Sequence, residues 1–243
     1  MRWFVLLLAA PAFAEEGMVT IPTGEFTMGR TKLTEDDKTT MRPRVLLDDR
    51  PDHKVFLKEF LLDRTEVTHA AYEKFLTATG RKPPYHWSKR PGADVPIYNV
   101  DWEDARTYCA WAGKRLPTEA EWERAARGNL DSMSYPWGDK ADPKLALYNV
   151  QTGPGPVAKF PPNAFGLYDM AGSVSEWTAD WFERLYYEKS SRENPQGPET
   201  GTYRVIRGGA WSDSAARITV FFRNWVRPSQ RSPNLGFRCA KDL

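Results

Sequence analysis

Apolar residues in this chain come in short runs, and glycine and proline break nearly all of them. Met18, Val19 and Ile21 lead into Pro22-Thr23-Gly24, and Phe26 to Met28 follow, so Gly17 to Gly29 reads as strand, turn and strand. Arg30 to Pro51 is polar apart from Val45 to Leu47 and reads as an exposed loop. Val55, Leu57 and Phe60 to Leu62 form the next expected strand. Three helices follow, each with readable ends. Thr68 caps one that carries Tyr72, Phe75 and Leu76 and stops at Gly80. Asp101 caps a second, with Trp102, Ala105, Cys109 and Ala112 near one face and Gly113 as its stop. Thr118 and Glu121 make a capping box for a third, which carries Trp122, Ala125 and Ala126. Beyond Gly128 turn chemistry dominates, with short strands expected at 203–207, 219–222 and 237–240. No repeat or linker divides the chain, so one domain is expected.

Asn163 to Trp177 has neither helical nor strand periodicity. Gly166 and Gly172 permit backbone angles that other residues resist. Asp169 and Glu176, with carbonyls between them, are oxygen ligands suited to calcium. On these residues alone, a calcium loop and a cation-free aromatic turn both stand.

Composition adds three points. Of ten tryptophans, nine lie between Trp87 and Trp225 outside any helical stripe, which implies a loop-rich core filled by large rings. The net charge of +2 gives no argument for nucleic acid. At the N-terminus, Arg2, the apolar run Trp3 to Ala10 and Ala12-Phe13-Ala14 form a signal-peptide pattern. Residues 1–14 are therefore expected to be removed and 15–243 exported, to a periplasm or beyond, with no membrane span. In such an oxidising setting, Cys109 and Cys239 read as a disulfide, with two buried thiols as the alternative.

Seven motifs run in order through the mature chain: Met18 to Gly29, Arg64 to Thr68, Gly113 to Glu123, Tyr135 to Asp139, Asn163 to Trp177, Arg207 to Trp211 and Asn234 to Cys239. Together they resemble the formylglycine-generating enzyme (sulfatase-modifying factor) domain family. The resemblance implies an α+β fold, a single compact domain of low regular secondary structure related to the C-type lectin-like fold. It implies a structural calcium held by Asp169, Gly172, Val174 and Glu176, with carbonyls from Gly172 and Val174. A second family calcium site would begin at Asn149 and Val150, but its loop is shortened here to Gln151 to Pro156. The resemblance also implies a disulfide between Cys109 and Cys239.

The family's oxidase chemistry rests on two cysteines that bind copper(I) shortly after the Arg-Gly-Gly motif. By register those positions are Asp213 and Ile218, and no cysteine lies between Cys109 and Cys239. Soft thiolates are what copper(I) requires, so the known route to formylglycine is not expected. Other relatives hold non-haem iron in a histidine-rich partner domain. Here His53, His69 and His86 have no triad spacing and read as scattered surface or interface residues. Ser173, Ser175, Ser212 and Ser214 have no histidine nearby in sequence and read as turn and cap residues.

From Arg207 to Leu243 seven basic residues face two acidic ones, Asp213 and Asp242. Arginine with aromatics anchors many recognition surfaces, which makes Trp211, Asp213, Arg217, Arg223, Trp225 and Arg227 the candidate binding cleft. Arg207 and Arg238 read as structural. The bland alternative is that these arginines pair with acids inside a loop-rich core. The function expected first is binding of a peptide, protein or cell-envelope component. An enzyme of altered maturation chemistry comes second, and a structural part of an envelope assembly third.

Overall fold

The three helices begin where their caps say they should. Thr68 accepts from the Ala71 N–H at 3.2 Å and opens α1 (His69–Thr79), which ends on left-handed Gly80. Asp101 and Asp104 form a reciprocal box at the start of α2 (Trp102–Trp111). Thr118 and Glu121 do the same for α3 (Glu119–Arg127), whose side chains are nearly all buried. This computed structural model describes residues 17–31, 48–85, 87 and 92–243. The signal-peptide pattern, Val45 to Leu47 and His86 lie outside those residues.

The strands are short and pair across long stretches of sequence. β1 (Met18–Ile21) and β2 (Gly24–Met28) form where expected but do not pair with each other. β1 runs antiparallel to β4 (Phe60–Asp63), whereas β2 pairs with β3 (His53–Leu57) in a separate ribbon. The single strand expected across 55–62 is thus two strands, belonging to two sheets.

A four-stranded sheet holds the order β7-β6-β5-β8, with β5 (Ser175–Trp181), β6 (Arg204–Arg207), β7 (Asn224–Val226) and β8 (Leu235–Gly236). β9 (Ala240–Asp242) returns to the first sheet beside β4. No strand forms at the expected 219–222: the Phe222 N–H closes a turn onto the Thr219 carbonyl at 3.1 Å, and the strand that follows is β7, at 224–226. Of the strand expected at 237–240 only Ala240 is in a strand, β9; residues 237–239 connect β8 to β9.

Large rings fill the core as the composition implied. Trp122 and Trp177 are fully buried, and each indole N–H is satisfied, by the Glu176 carboxylate at 2.9 Å and the Val100 carbonyl at 3.0 Å. Cys109 on α2 and Cys239 before β9 are joined in a disulfide, Cα atoms 5.7 Å apart, within the cluster that holds Tyr72, Phe75, Trp177 and Phe237. The result is one compact domain of mixed α and β structure.

Candidate functional site: a carboxylate trio and the surfaces around it

The 163–177 loop is wound tightly by its own side chains. Asn163 Oδ1 accepts from the N–H groups of Phe165 and Leu167, while Nδ2 donates to the Ala125 and Ala126 carbonyls at the end of α3. Asp169, Gly172 and Ser173 all take positive φ. A Cβ on Gly172 would fall 2.2 Å from the Leu147 carbonyl oxygen, so only glycine fits there. The loop then runs straight into β5. That strand was not expected, because its residues are buried on both faces and show no alternation.

The loop brings together three carboxylates, one of which sequence reasoning missed. Glu176 receives Arg238 Nε at 2.7 Å and Nη2 at 2.8 Å. Glu66, just after β4, is buried with Arg238 Nη2 4.0 Å away and with neither oxygen hydrogen-bonded. Asp169 Oδ2 accepts from the Ala158 N–H at 2.7 Å. Burial, reinforced by the charge of Asp169, raises the Glu66 pKa well above the usual carboxylate range, and burial raises that of Asp169 as well.

Three ionised carboxylates beside one guanidinium would leave two negative charges inside the protein, which one calcium ion would neutralise. The orphaned Glu66 oxygens and the loop carbonyls are the donor chemistry calcium takes, so the residues fit that ion. Side chains alone do not suffice: among the described residues no group of three or more His, Cys, Asp and Glu could hold a metal. The signal that could have found Glu66 is its place in the Arg64 to Thr68 motif, as an acid between apolar segments.

The other expected positions separate into distinct places. Asn149 and Val150 donate their N–H groups to the carbonyls of Asp213 and Trp211 and so brace that turn. Asp213 Oδ2 accepts from the Ala210 N–H at 2.9 Å, and Oδ1 lies 3.6 Å from Arg217. Ile218 is fully buried. Beside them the Trp211 indole donates to the Pro233 carbonyl, and Asn234 Nδ2 donates to Ser212 Oγ at 2.6 Å. Trp225 and Arg227 are elsewhere. Trp211 bonds to Ser173, at the entry to β5, whereas Trp225 stacks on Phe182, at its exit. The six-residue cleft read from the sequence is therefore two surfaces, at opposite ends of β5.

Arg223 belongs to neither surface. It is 1% exposed and grips Glu119 with Nε at 2.7 Å and Nη2 at 3.0 Å. Glu119 also faces Arg207, which binds Glu123, which in turn holds Arg127. This buried chain of alternating charge absorbs Arg223 and Arg207, while Arg238 serves Glu176. His69 is likewise interior, 3% exposed and against the Val95 carbonyl, not a surface histidine.

Asp48 adjoins the network and yields a pH test. Its carbonyl accepts from Arg223 at 2.7 Å, but its carboxylate Oδ2 is buried without a donor. Burial raises this carboxyl from 3.8 to about 6. The folded protein therefore holds the proton more tightly than the unfolded chain between those values, and stability falls as pH rises through that window, by about 2–3 kcal/mol. Asp48→Asn should match the parent near pH 4 and exceed it at pH 7, as read from urea midpoints at both pH values.

With this geometry in place, comparison with known proteins assigns the class. A family model described as the sulfatase-modifying factor enzyme 1-like domain matches residues 5–243, and the chain belongs to that family. The formylglycine-generating enzyme of Streptomyces coelicolor is 35% identical over 299 residues, covering 96% of this chain and 92% of that protein. The structure of PvdO from Pseudomonas aeruginosa superposes with a TM-score of 0.78 at 32% identity, covering 93% of this chain and 94% of that one. Serine/threonine-protein kinase pkn1 of Chlamydia caviae is 35% identical over 254 residues, covering 96% of this chain and 39% of the kinase. The chain thus spans about two fifths of the chlamydial kinase it matches.

Proposed function

We propose that residues 15–243 form an exported, calcium-stabilised recognition domain that binds a peptide, protein or envelope component over the surface formed by Trp211, Asp213, Arg217 and Asn234. The observation that carries this reading is what occupies the positions of the family's reactive cysteines. Asp213 there is spent on the Ala210 N–H and Arg217, and Ile218 is packed into the core. Around them remain a half-buried indole, a guanidinium 55% exposed and a polar Ser212–Asn234 pair, which suit contact with a ligand. Panning a peptide library against the mature domain tests it. Trp211→Ala and Arg217→Glu should each weaken the selected ligands, with Trp211→Ala costing about 2 kcal/mol, or roughly thirtyfold in Kd. Ligands indifferent to both changes would end this reading.

Calcium would be held by Asp169 and Glu66, the carbonyls of Gly172 and Val174, and Glu176. Bound there it supplies charge balance and fixes the loop. At a hundredfold excess over Kd it should add about 2.7 kcal/mol, a rise of roughly 5–10 °C in Tm for a domain of this size. Glu66→Gln should abolish most of that rise, and a Tm indifferent to calcium and chelator would exclude the ion.

The enzyme reading draws on the relatives, which include hercynine oxygenase of Mycolicibacterium smegmatis, 33% identical over 270 residues. Stoichiometric copper or iron in the purified protein would put it first.

A further inference from the structure

An open pocket of about 260 Å³ lies between the 163–177 loop and the turn at Tyr135 to Asp139. The turn contributes Pro136 and Trp137, and the loop with its approach contributes Pro161, Pro162, Leu167 and Met170. Leu167 and Met170 are buried in the core, whereas Pro161 and Pro162 are exposed, so the pocket leads from the surface to the interior. Trp211, Asp213, Arg217 and Asn234 do not line it, so it is separate from the recognition surface.

The side chains around this space offer a ligand carbon and little else. The Trp137 indole N–H is spent on the Lys140 carbonyl at 2.8 Å, and its ring lies parallel to Tyr135, centroids 5.4 Å apart. Asn163 also lines the pocket, but its Oδ1 already accepts from Phe165 and Leu167 and its Nδ2 already donates to Ala125 and Ala126. The three prolines have no N–H to give. Asp169 carries the one charge among the described lining residues, and its Oδ2 accepts from the Ala158 N–H at 2.7 Å.

We infer that this pocket binds a compact, uncharged aromatic molecule about the size of two fused rings. The size follows from the volume: an apolar cavity of roughly 150 Å³ holds a benzene, and this one has space for a second ring. Trp137 and Met170 favour a ring over an aliphatic chain, because indole carbon and thioether sulfur both attract aromatic rings. An anion would face the Asp169 carboxylate. A cation would face the calcium proposed on that carboxylate, and in this respect alone the inference rests on the calcium reading. A free molecule suits the walls better than a side chain of a bound peptide. A peptide brings amide groups that need partners, and neither the prolines nor Asn163 has one left to offer.

The test is calorimetric titration of the mature domain, in calcium buffer, with indole, indole-3-acetate, tryptamine and a capped alanine–tryptophan–alanine peptide. Indole should bind one to one with a Kd below about 1 mM, within reach of a ligand of that size. Indole-3-acetate and tryptamine, which add one charge of either sign, should each bind roughly tenfold more weakly. Leu145→Trp, which puts a ring into the pocket from a half-buried lining position, should abolish binding while circular dichroism shows the domain folded. Trp137→Ala should weaken it roughly tenfold, and Trp211→Ala should leave it unaltered. No saturable binding of indole, or equal binding by the parent and Leu145→Trp, overturns the inference. Tighter binding of tryptamine overturns the uncharged ligand, and tighter binding of the peptide overturns the free one. Tm measured without indole judges the calcium reading separately: a rise with calcium beside no indole binding sinks this inference and leaves calcium standing.

Discussion

Glu119→Ala is expected to lower stability by about 3–5 kcal/mol, because it removes the carboxylate that pairs directly with the buried Arg223. The Glu119 carboxylate takes both the Nε and Nη2 bonds of Arg223, a longer contact from Arg207 at 3.4 Å and the Tyr187 hydroxyl at 3.2 Å. Arg223 is then left with backbone acceptors, the Asp48 and Glu183 carbonyls. A loss of that size is a large share of the roughly 5–15 kcal/mol that holds a typical domain folded. Urea denaturation followed by tryptophan fluorescence measures it. The paired replacement Glu119→Leu with Arg223→Leu should recover much of the loss, since removing both charges leaves no orphan. If the single variant matched the parent, the buried network would not be a structural support. The direction also explains why Arg223 cannot serve a ligand: the protein already uses every edge of it.

Opening the disulfide is the second large effect. Cys109 and Cys239 are 130 residues apart and both fully buried. Closing a loop of that length restricts the unfolded chain by about 4–5 kcal/mol in the chain-entropy account. Cys239→Ser should therefore lower Tm by roughly 10–20 °C at the 2–4 °C per kcal/mol typical of domains this size. The parent should show the same drop when unfolded in reductant, while the variant should be insensitive to reductant. An unchanged Tm in the reduced parent would mean that the cluster around Tyr72, Phe75 and Phe237 sets the stability alone. No free cysteine accompanies this pair, so a thiol titration of the folded protein should read zero.

Local signals were the legible part of the sequence. Each helix was readable because its cap is a side chain bonded within three residues, as with Thr118 and Glu121. The strands were readable as strands, but their partners were not. β1 pairs with β4 rather than with its neighbour β2, and nothing near Met18 encodes Phe60 or Asp242. β5 escaped because burial on both faces removes the alternation that marks a strand.

The candidate site divides along the same line. Asp169 and Glu176 sit close together in sequence, whereas Glu66 reaches them from more than a hundred residues away and could be found only in three dimensions. Likewise the arginines of the last segment looked alike in one dimension. The structure sorts them by whether an acid from α3 or β5 lies within reach. Arg204, just outside the counted segment, was overlooked although the indoles of Trp102 and Trp181 cover both faces of its guanidinium.

The return of β9 to the first sheet has a consequence for how the molecule is made. Asp63 holds the Cys239 N–H at 2.9 Å, and Ala240 exchanges hydrogen bonds with Arg115, so the first sheet, α2 and the α2–α3 connection are all sealed by residues 239–242. Until that segment is made, β4 has one open edge and Cys109 is an unpaired thiol. Closure of the first sheet and of the disulfide thus waits for residues 239–242, however early the rest is made, and until then a reactive sulfur and a bare strand need shielding.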